Sequence, residues 1–233
     1  MASGLSVPAI VAAAAAAADR RGLAGLSMRS VGKELGVEAM SLYHHVANKD
    51  ALLDQLTDWV FAQITLPGIG EPWRRAMHLR AASAREVLAA HPWALHLVES
   101  RRSPGPALLR HHDTVLGCLL ADGFSMAMAV HAFSVIDSYV YGFVLTEQNL
   151  PFEPGEDASA FAAGLDFPTQ EYPHLARLVA GSVMQHGYDY ATEFMAGLEM
   201  ILDGVERQHL ESGSDQIAPT PDVEIGRSAS SQQ

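Results

Sequence analysis

Residues 26–46 read Leu26-Ser27-Met28-Arg29-Ser30-Val31-Gly32-Lys33-Glu34-Leu35-Gly36-Val37-Glu38-Ala39-Met40-Ser41-Leu42-Tyr43-His44-His45-Val46, and this run decides the fold. The spacing predicts two short helices, about Ser27 to Leu35 and Glu38 to His45. They are joined by a tight turn at Gly36, where a glycine takes the left-handed conformation at low cost. Val31, Leu35, Val37 and Leu42 supply the apolar contact between them, which is helix-turn-helix spacing. In such a unit the second helix turns Ala39, Met40, Ser41, Tyr43, His44 and His45 toward a major groove, and the first lies across the backbone. These residue types suit a contact surface. An arginine such as Arg29 pairs with two guanine acceptors, a tyrosine hydroxyl or an ammonium pairs with phosphate, and short apolar side chains sit against a thymine methyl. The alternative is a small helical bundle without a nucleic-acid partner, in which Tyr43, His44 and His45 are ordinary surface side chains; His45 also suits packing against the next helix.

Working outward, Ser6 and Pro8 predict a first helix to about Arg21, stopped by Gly22. Its apolar stretch from Leu5 to Ala18 is not preceded by basic residues and runs into Asp19-Arg20-Arg21, so it reads as a helix rather than a secretion signal. Asn48 or Lys49 starts a longer helix to about Thr65. After Leu66-Pro67-Gly68-Ile69-Gly70-Glu71-Pro72, helices are expected near 72–90, 92–100, 105–121, 125–148, 170–184 and 188–209. Almost every segment has a period near 3.6 and no alternating strand is evident, so the fold class is all-α. The expected domains are a head at 1–65 and a body at 66–210. The stretch 149–168 reads as an irregular connection, and 211–233 as a tail too poor in apolar residues to order.

Composition first argues against nucleic acid. Of 233 residues, 15 are Lys or Arg and 27 are Asp or Glu, a net charge of -12. The distribution reverses that impression, because residues 1–50 carry five basic side chains (Arg20, Arg21, Arg29, Lys33, Lys49) and four acidic ones (Asp19, Glu34, Glu38, Asp50). What the total excludes is a protein that coats DNA by bulk electrostatics, not one that reads a site. Cys118, the single cysteine, excludes an intrachain disulfide and fits a reducing cytoplasm. The run Met126 to Leu145 is long enough for a membrane span, but His131, Asp137 and the lack of flanking Lys or Arg favour burial in protein.

The string Leu42-Tyr43-His44-His45-Val46-Ala47-Asn48-Lys49-Asp50-Ala51-Leu52-Leu53, with Leu26 to Gly36 before it, resembles the DNA-binding domain of the TetR (tetracycline-repressor) family. The resemblance implies that Tyr43 and Lys49 grip phosphates, that Arg29 reaches a base edge, and that Ala39, Met40, Ser41 and His44 face bases. Ala39-Met40 and His44 stand where the tetracycline repressor has Gln-Pro and Trp, so its operator does not carry over. More weakly, the body resembles the same family at Glu71-Pro72-Trp73, Asp122-Gly123-Phe124-Ser125, Thr146-Glu147-Gln148 and Gly197 to Glu206. It implies a homodimer built on the helices at 125–148 and 188–209, with Phe194, Met195, Leu198, Ile201, Leu202 and Val205 as an apolar dimerisation stripe. The implied activity is repression of transcription at a palindromic operator, relieved by a small-molecule effector.

At about 100° per residue, His131, Ser134, Ser138 and Tyr141 share one arc of the 125–148 helix, with Asp137 beside it. Buried polar groups need partners, so this seam is the candidate effector site, facing Arg80, Trp93, His112 and Thr114. A self-satisfied cluster or a polar part of the dimer interface is the bland alternative. Arg80, Ala84 and Val98 fall near positions that bind the drug in the tetracycline repressor, and only Glu147 and Gln148 resemble its acidic part. Tetracycline and a bound magnesium are therefore not expected, and no cofactor is. An enzyme is the other class considered, but His44-His45 and His111-His112-Asp113 are adjacent on helices and diverge, and no nucleotide loop or nucleophile elbow occurs.

Overall fold

The computed structural model describes residues 5–100, 104–151, 164, 168–183 and 189–213. Among them every regular element is helical.

Helix α1 (Val7–Arg21) starts where Ser6 accepts from the Ala9 amide at 3.4 Å and ends at Gly22, φ 66°. Its inner face is mostly alanine, with Ala14, Ala15, Ala17 and Ala18 buried, so the neighbouring helices approach closely. Helix α2 (Met28–Leu35) opens on a reciprocal cap: the Ser30 amide donates to Ser27 Oγ at 3.1 Å and the Ser27 amide to Ser30 Oγ at 2.9 Å. Gly36 closes it with φ 69°, the left-handed turn expected there. Gly32 matters as much, since a Cβ on it would lie 2.8 Å from the Val37 carbonyl, so only glycine lets the turn fold back on α2.

Helix α3 (Ala39–Leu42) is shorter than the expected 38–45, and Tyr43 to His45 continue it as turns, with the amides of His45 and Val46 both donating to the Leu42 carbonyl. Helix α4 (Lys49–Phe61) is capped by Asn48, whose Oδ1 accepts from the Ala51 amide at 2.8 Å, and it ends four residues before the expected Thr65.

The body comprises α5 (Trp73–Ala90), α6 (Ala94–Ser100), α7 (Pro106–Ala121), α8 (Met126–Gln148), α9 (Pro173–Leu178) and α10 (Glu193–Gly213). Where one helix was expected over 170–184, α9 gives way to a π-helical stretch at Val179–Val183. The irregular connection falls largely outside the described residues, at 152–163 and 165–167, as does 214–233 of the expected tail.

Helix α8 packs against α5, α7 and α10, which accounts for the apolar residues it buries, Ala129, Ala132, Ile136, Val140, Phe143 and Val144. By length and composition alone it could cross a membrane. The close approach of α8 and α10 is set at Gly197, where a Cβ would collide with the Tyr139 hydroxyl, which donates to the Phe194 carbonyl at 2.9 Å. Arg74 of α5 binds Glu199 at 2.6 Å, Asp203 at 2.5 Å and Glu206 at 3.1 Å, tying α5 to α10. These carboxylates hold the Arg74 guanidinium above its usual pKa, Asp203 most.

Candidate nucleic-acid interface and effector cavity

In the head, the apolar residues that join α2 to α3 are turned inward and the polar ones outward. Val31 and Leu42 are fully buried, whereas Arg29, Tyr43, His44, His45 and Lys49 are exposed and Met40 is 71% exposed. Ala39 and Ser41 are half-buried at the base of that surface. Arg29 comes from α2, Met40 and His44 from α3 and the turns after it, and Lys49 from the first turn of α4, so three successive elements supply the exposed side chains. Arg20 and Arg21 of α1 are engaged with Glu34 of α2, at 2.6 and 3.6 Å, bracing the first helix of the motif against α1.

Two carboxylates hold the head on the body. Asp19, at the end of α1, accepts from Trp93 Nε1 at 2.6 Å and lies 2.8 Å from His91 Nδ1. Asp58 of α4 accepts from the amides of Ala107 at 2.7 Å and Leu108 at 3.1 Å, the first turn of α7. A carboxylate is well placed there, because the first amides of a helix lack intrahelical partners and carry partial positive charge. Gly105 makes room for it, since a Cβ at this position would overlap the Asp58 carboxylate. Trp93, expected at the effector site, is therefore a junction residue, and the indole N–H that brings it to Asp19 has no signature in helical periodicity.

The polar residues of the body collect around Arg80. Its side chain is 1% exposed, and Nη1 lies 2.7 Å from Asp137 Oδ1 and 3.0 Å from His111 Nε2. A guanidinium only donates, so His111 Nε2 accepts and its proton is on Nδ1. Burial, then the charge of Arg80, lowers the His111 pKa to about 3 and keeps the ring neutral. His112 is also lowered, by burial first, with Asp137 acting the other way. Tyr141 lies near Asp137, and burial, then the charge of that carboxylate, pushes its hydroxyl well above the usual tyrosine range. Aromatic rings surround the cluster: Phe61 is 5.3 Å from His111, Phe133 is 5.0 Å from His112, and the guanidinium lies 5.6 Å from the Phe133 centroid.

Arg80 Nε and Nη2 and His111 Nδ1 are buried with no acceptor among the described residues. A buried donor left unpaired costs about 1–3 kcal/mol. Beside the cluster is a cavity of about 500 Å³ lined by Leu95, His96, Ser138, Tyr141, Gly142 and Leu145. The expected seam on α8 thus divides. Asp137 and Tyr141 reach the Arg80 cluster, and Ser138 and Tyr141 line the cavity, while Ser134 is exposed. His131 lines a second groove, of about 440 Å³, between α8 and α10 with Met128, Val135, Ile201 and Gln208. His112 and Arg80 are brought together; Thr114, two residues further along α7, is half-buried. His111 and Asp137 are the central members that were not among the expected site residues. The signal that could have found them is the polar pairing of three apolar helices, which emerges only once the helices are phased.

The dimerisation stripe needs a correction. Phe194, Leu198, Leu202 and Val205 are buried inside their own chain, where α10 packs on α8, and Met195 and Ile201 are half-buried. The apolar face left outward belongs to Val130, Val135 and Leu145 of α8 and Met200 of α10.

A short helix-turn-helix head fixed to a helical body with an internal polar cluster defines a DNA-reading protein with a sensing domain. Residues 10–56 match the family described as bacterial regulatory proteins of the tetR family, and residues 66–209 match the tetracyclin repressor-like C-terminal domain. The chain belongs to the TetR family and is a ligand-responsive, DNA-binding transcriptional regulator, not an enzyme. It is 35% identical over 198 residues to an HTH-type transcriptional regulator of Saccharopolyspora erythraea, covering 84% of this chain and 82% of that one. It is 36% identical over 216 residues to the HTH-type transcriptional repressor DrrR1 of Streptomyces coeruleorubidus, covering 87% and 77%. Among solved structures, ActR of Streptomyces coelicolor in complex with actinorhodin is similar with a TM-score of 0.74 and 27% identity, covering 90% of this chain and 99% of that one.

Proposed function

We propose that the chain is a cytoplasmic repressor that binds a near-palindromic double-stranded operator as a homodimer and leaves it when a small molecule enters the body. The observation that carries this reading is the exposed surface made by Arg29, Met40, Tyr43, His44 and Lys49 on a head tied to the body through Asp19 and Asp58. Tyr43 and Lys49 hold phosphates, Arg29 reads a guanine edge, Ala39, Met40, Ser41 and His44 face bases, and His45 contacts the backbone. Two heads in successive major grooves stand about 34–36 Å apart. The head at 1–65 and the body at 66–210 act as separate working units, and the outward apolar face of α8 and α10 supports a four-helix interface between two copies. His131 and Ser134 then belong to that interface rather than to the effector site.

The effector site is the cavity beside Arg80, His112, Ser138 and Tyr141. Its roof includes Leu95 and His96 of α6, which also packs on α4, so a ligand that moves α6 moves the head. The effector must prefer the DNA-incompetent arrangement, and operator DNA must weaken effector binding by the same factor. ActR, solved with actinorhodin, and DrrR1, named a repressor, support this reading by similarity. Random-site selection with the full chain should enrich a palindrome, and sedimentation should give a dimer. Enrichment of no palindrome would sink the operator reading, leaving a helical partner-binding protein.

A further inference from the structure

We propose that the effector signal enters the head at α1, through Asp19, and that Asp58 is the pivot about which the head turns. This rests on the effector reading of the cavity and names the residue that carries the signal out of it. The two carboxylates that tie head to body grip different parts. Asp19 Oδ1 meets both Trp93 Nε1, at 2.6 Å, and His91 Nδ1, at 2.8 Å. Those residues flank Pro92 in the corner between α5 and α6, so one oxygen of α1 holds the base of α6. Leu95 and His96 follow directly in α6 and line the effector cavity. His96 also lines a groove of about 350 Å³ against the end of α1, with Ala18, Asp19 and Gly22. One side chain of α6 therefore borders the cavity and the head at once.

The two tethers differ in slack. Beside Asp19 the groove leaves α6 room to shift against α1. Beside Asp58 there is none: its Oδ1 accepts from the first amides of α7, and a Cβ on Gly105 would overlap the carboxylate. Helix α7 is packed on α4 and α8, and among the described residues it supplies no lining to the cavity. A ligand thus has leverage on the α5–α6 corner and none on the start of α7. Trp93 is buried, and a buried N–H that loses its acceptor is costly, so a displaced corner carries Asp19 with it rather than releasing it. Helix α4 feels the same corner through the edge-on contact of His91 with Trp59, at 5.0 Å, which lacks the directional hold of a hydrogen bond.

The experiment uses the full chain, the operator enriched by random-site selection, and a covalent probe. Ser138→Cys labelled with N-(1-naphthyl)maleimide fixes an aromatic ring at the cavity wall. Cys118 is fully buried, so the added thiol is the one that reacts. Labelling should weaken operator binding at least tenfold. With Asp19→Ala or Trp93→Phe added, the labelled and unlabelled proteins should differ by less than threefold. Asp19 is partly exposed, which keeps its substitution compatible with folding. A tether that only supports the fold would lower the melting temperature and weaken both forms alike. A ratio that stays at tenfold in both double variants therefore overturns the proposal and leaves the effector cavity standing. If the label does not weaken operator binding with both tethers intact, the cavity does not control the head, and the effector reading falls with the proposal.

Discussion

The head and the body place their polar residues in opposite ways. In the head, Arg29, Tyr43, His44 and Lys49 point to solvent, and the buried positions, Val31, Leu42 and Leu52 among them, are almost all apolar. In the body, the largest fully buried side chain is Arg80, surrounded by His111, Asp137 and Tyr141. A surface built to meet DNA keeps its charge hydrated until contact, so single changes there alter affinity and leave folding intact. A buried polar cluster couples recognition to stability, because its members cannot be removed without stranding a partner. The difference separates two experimental signatures, operator binding for the head and melting for the body.

The largest effect should come from Arg80→Met. It leaves Asp137 without its cation and should lower stability by about 3–5 kcal/mol in denaturant unfolding. A loss under 1 kcal/mol would place the cluster in solvent and erase the contrast. Acid sensitivity should come next. His111 is neutral in the fold with a pKa of about 3, below its unfolded value of about 6.5, so the native state binds fewer protons between those limits. Its contribution is complete above about pH 6.5 and is lost as the pH falls toward 3, by up to about 1.4 kcal/mol per pH unit. His111→Phe should flatten the stability profile in that window, which urea titrations at several pH values would reveal.

Arg29→Ala should weaken operator binding by about 1–3 kcal/mol and relax preference at one base pair, with the melting temperature unchanged. Ser27→Ala removes the reciprocal cap of α2 and should cost about 1 kcal/mol of stability, the one head substitution expected to show in melting. Smallest of all, Lys49→Ala should weaken binding across all sequences and reduce the salt slope by about one. Sequence-selective loss at Lys49 would mean that it reads bases rather than phosphate.

The head was legible because its determinants are local. Ser27 capping Ser30, Gly36 in the left-handed turn and Asn48 capping α4 each act within a few residues of themselves. The short extent of α3 was not, since Tyr43 to His45 are as compatible with a helix as with the turns they adopt. The body was legible only as a set of helices. Helix α8 is apolar on nearly every side, so its sequence does not say which arc faces inward, and the expected seam mixed Tyr141 and Ser138 with the outward Ser134 and His131. Of the apolar stripe on α10, Phe194, Leu198, Leu202 and Val205 are buried within their own chain and Met195 and Ile201 are half-buried, because amphipathicity reports that a face is covered and not by what.

The sequence by itself therefore determined the helical class, the helix-turn-helix surface and the concentration of acidity outside the head. Local hydrogen bonds and hydrophobic period suffice for those. Tertiary structure alone decided that Trp93 meets Asp19, that Asp58 meets the start of α7, and that Arg80 meets His111 and Asp137. Each joins residues 31 or more positions apart on separate elements, and their meeting depends on how the helices are rotated and packed, which periodicity along one helix does not encode.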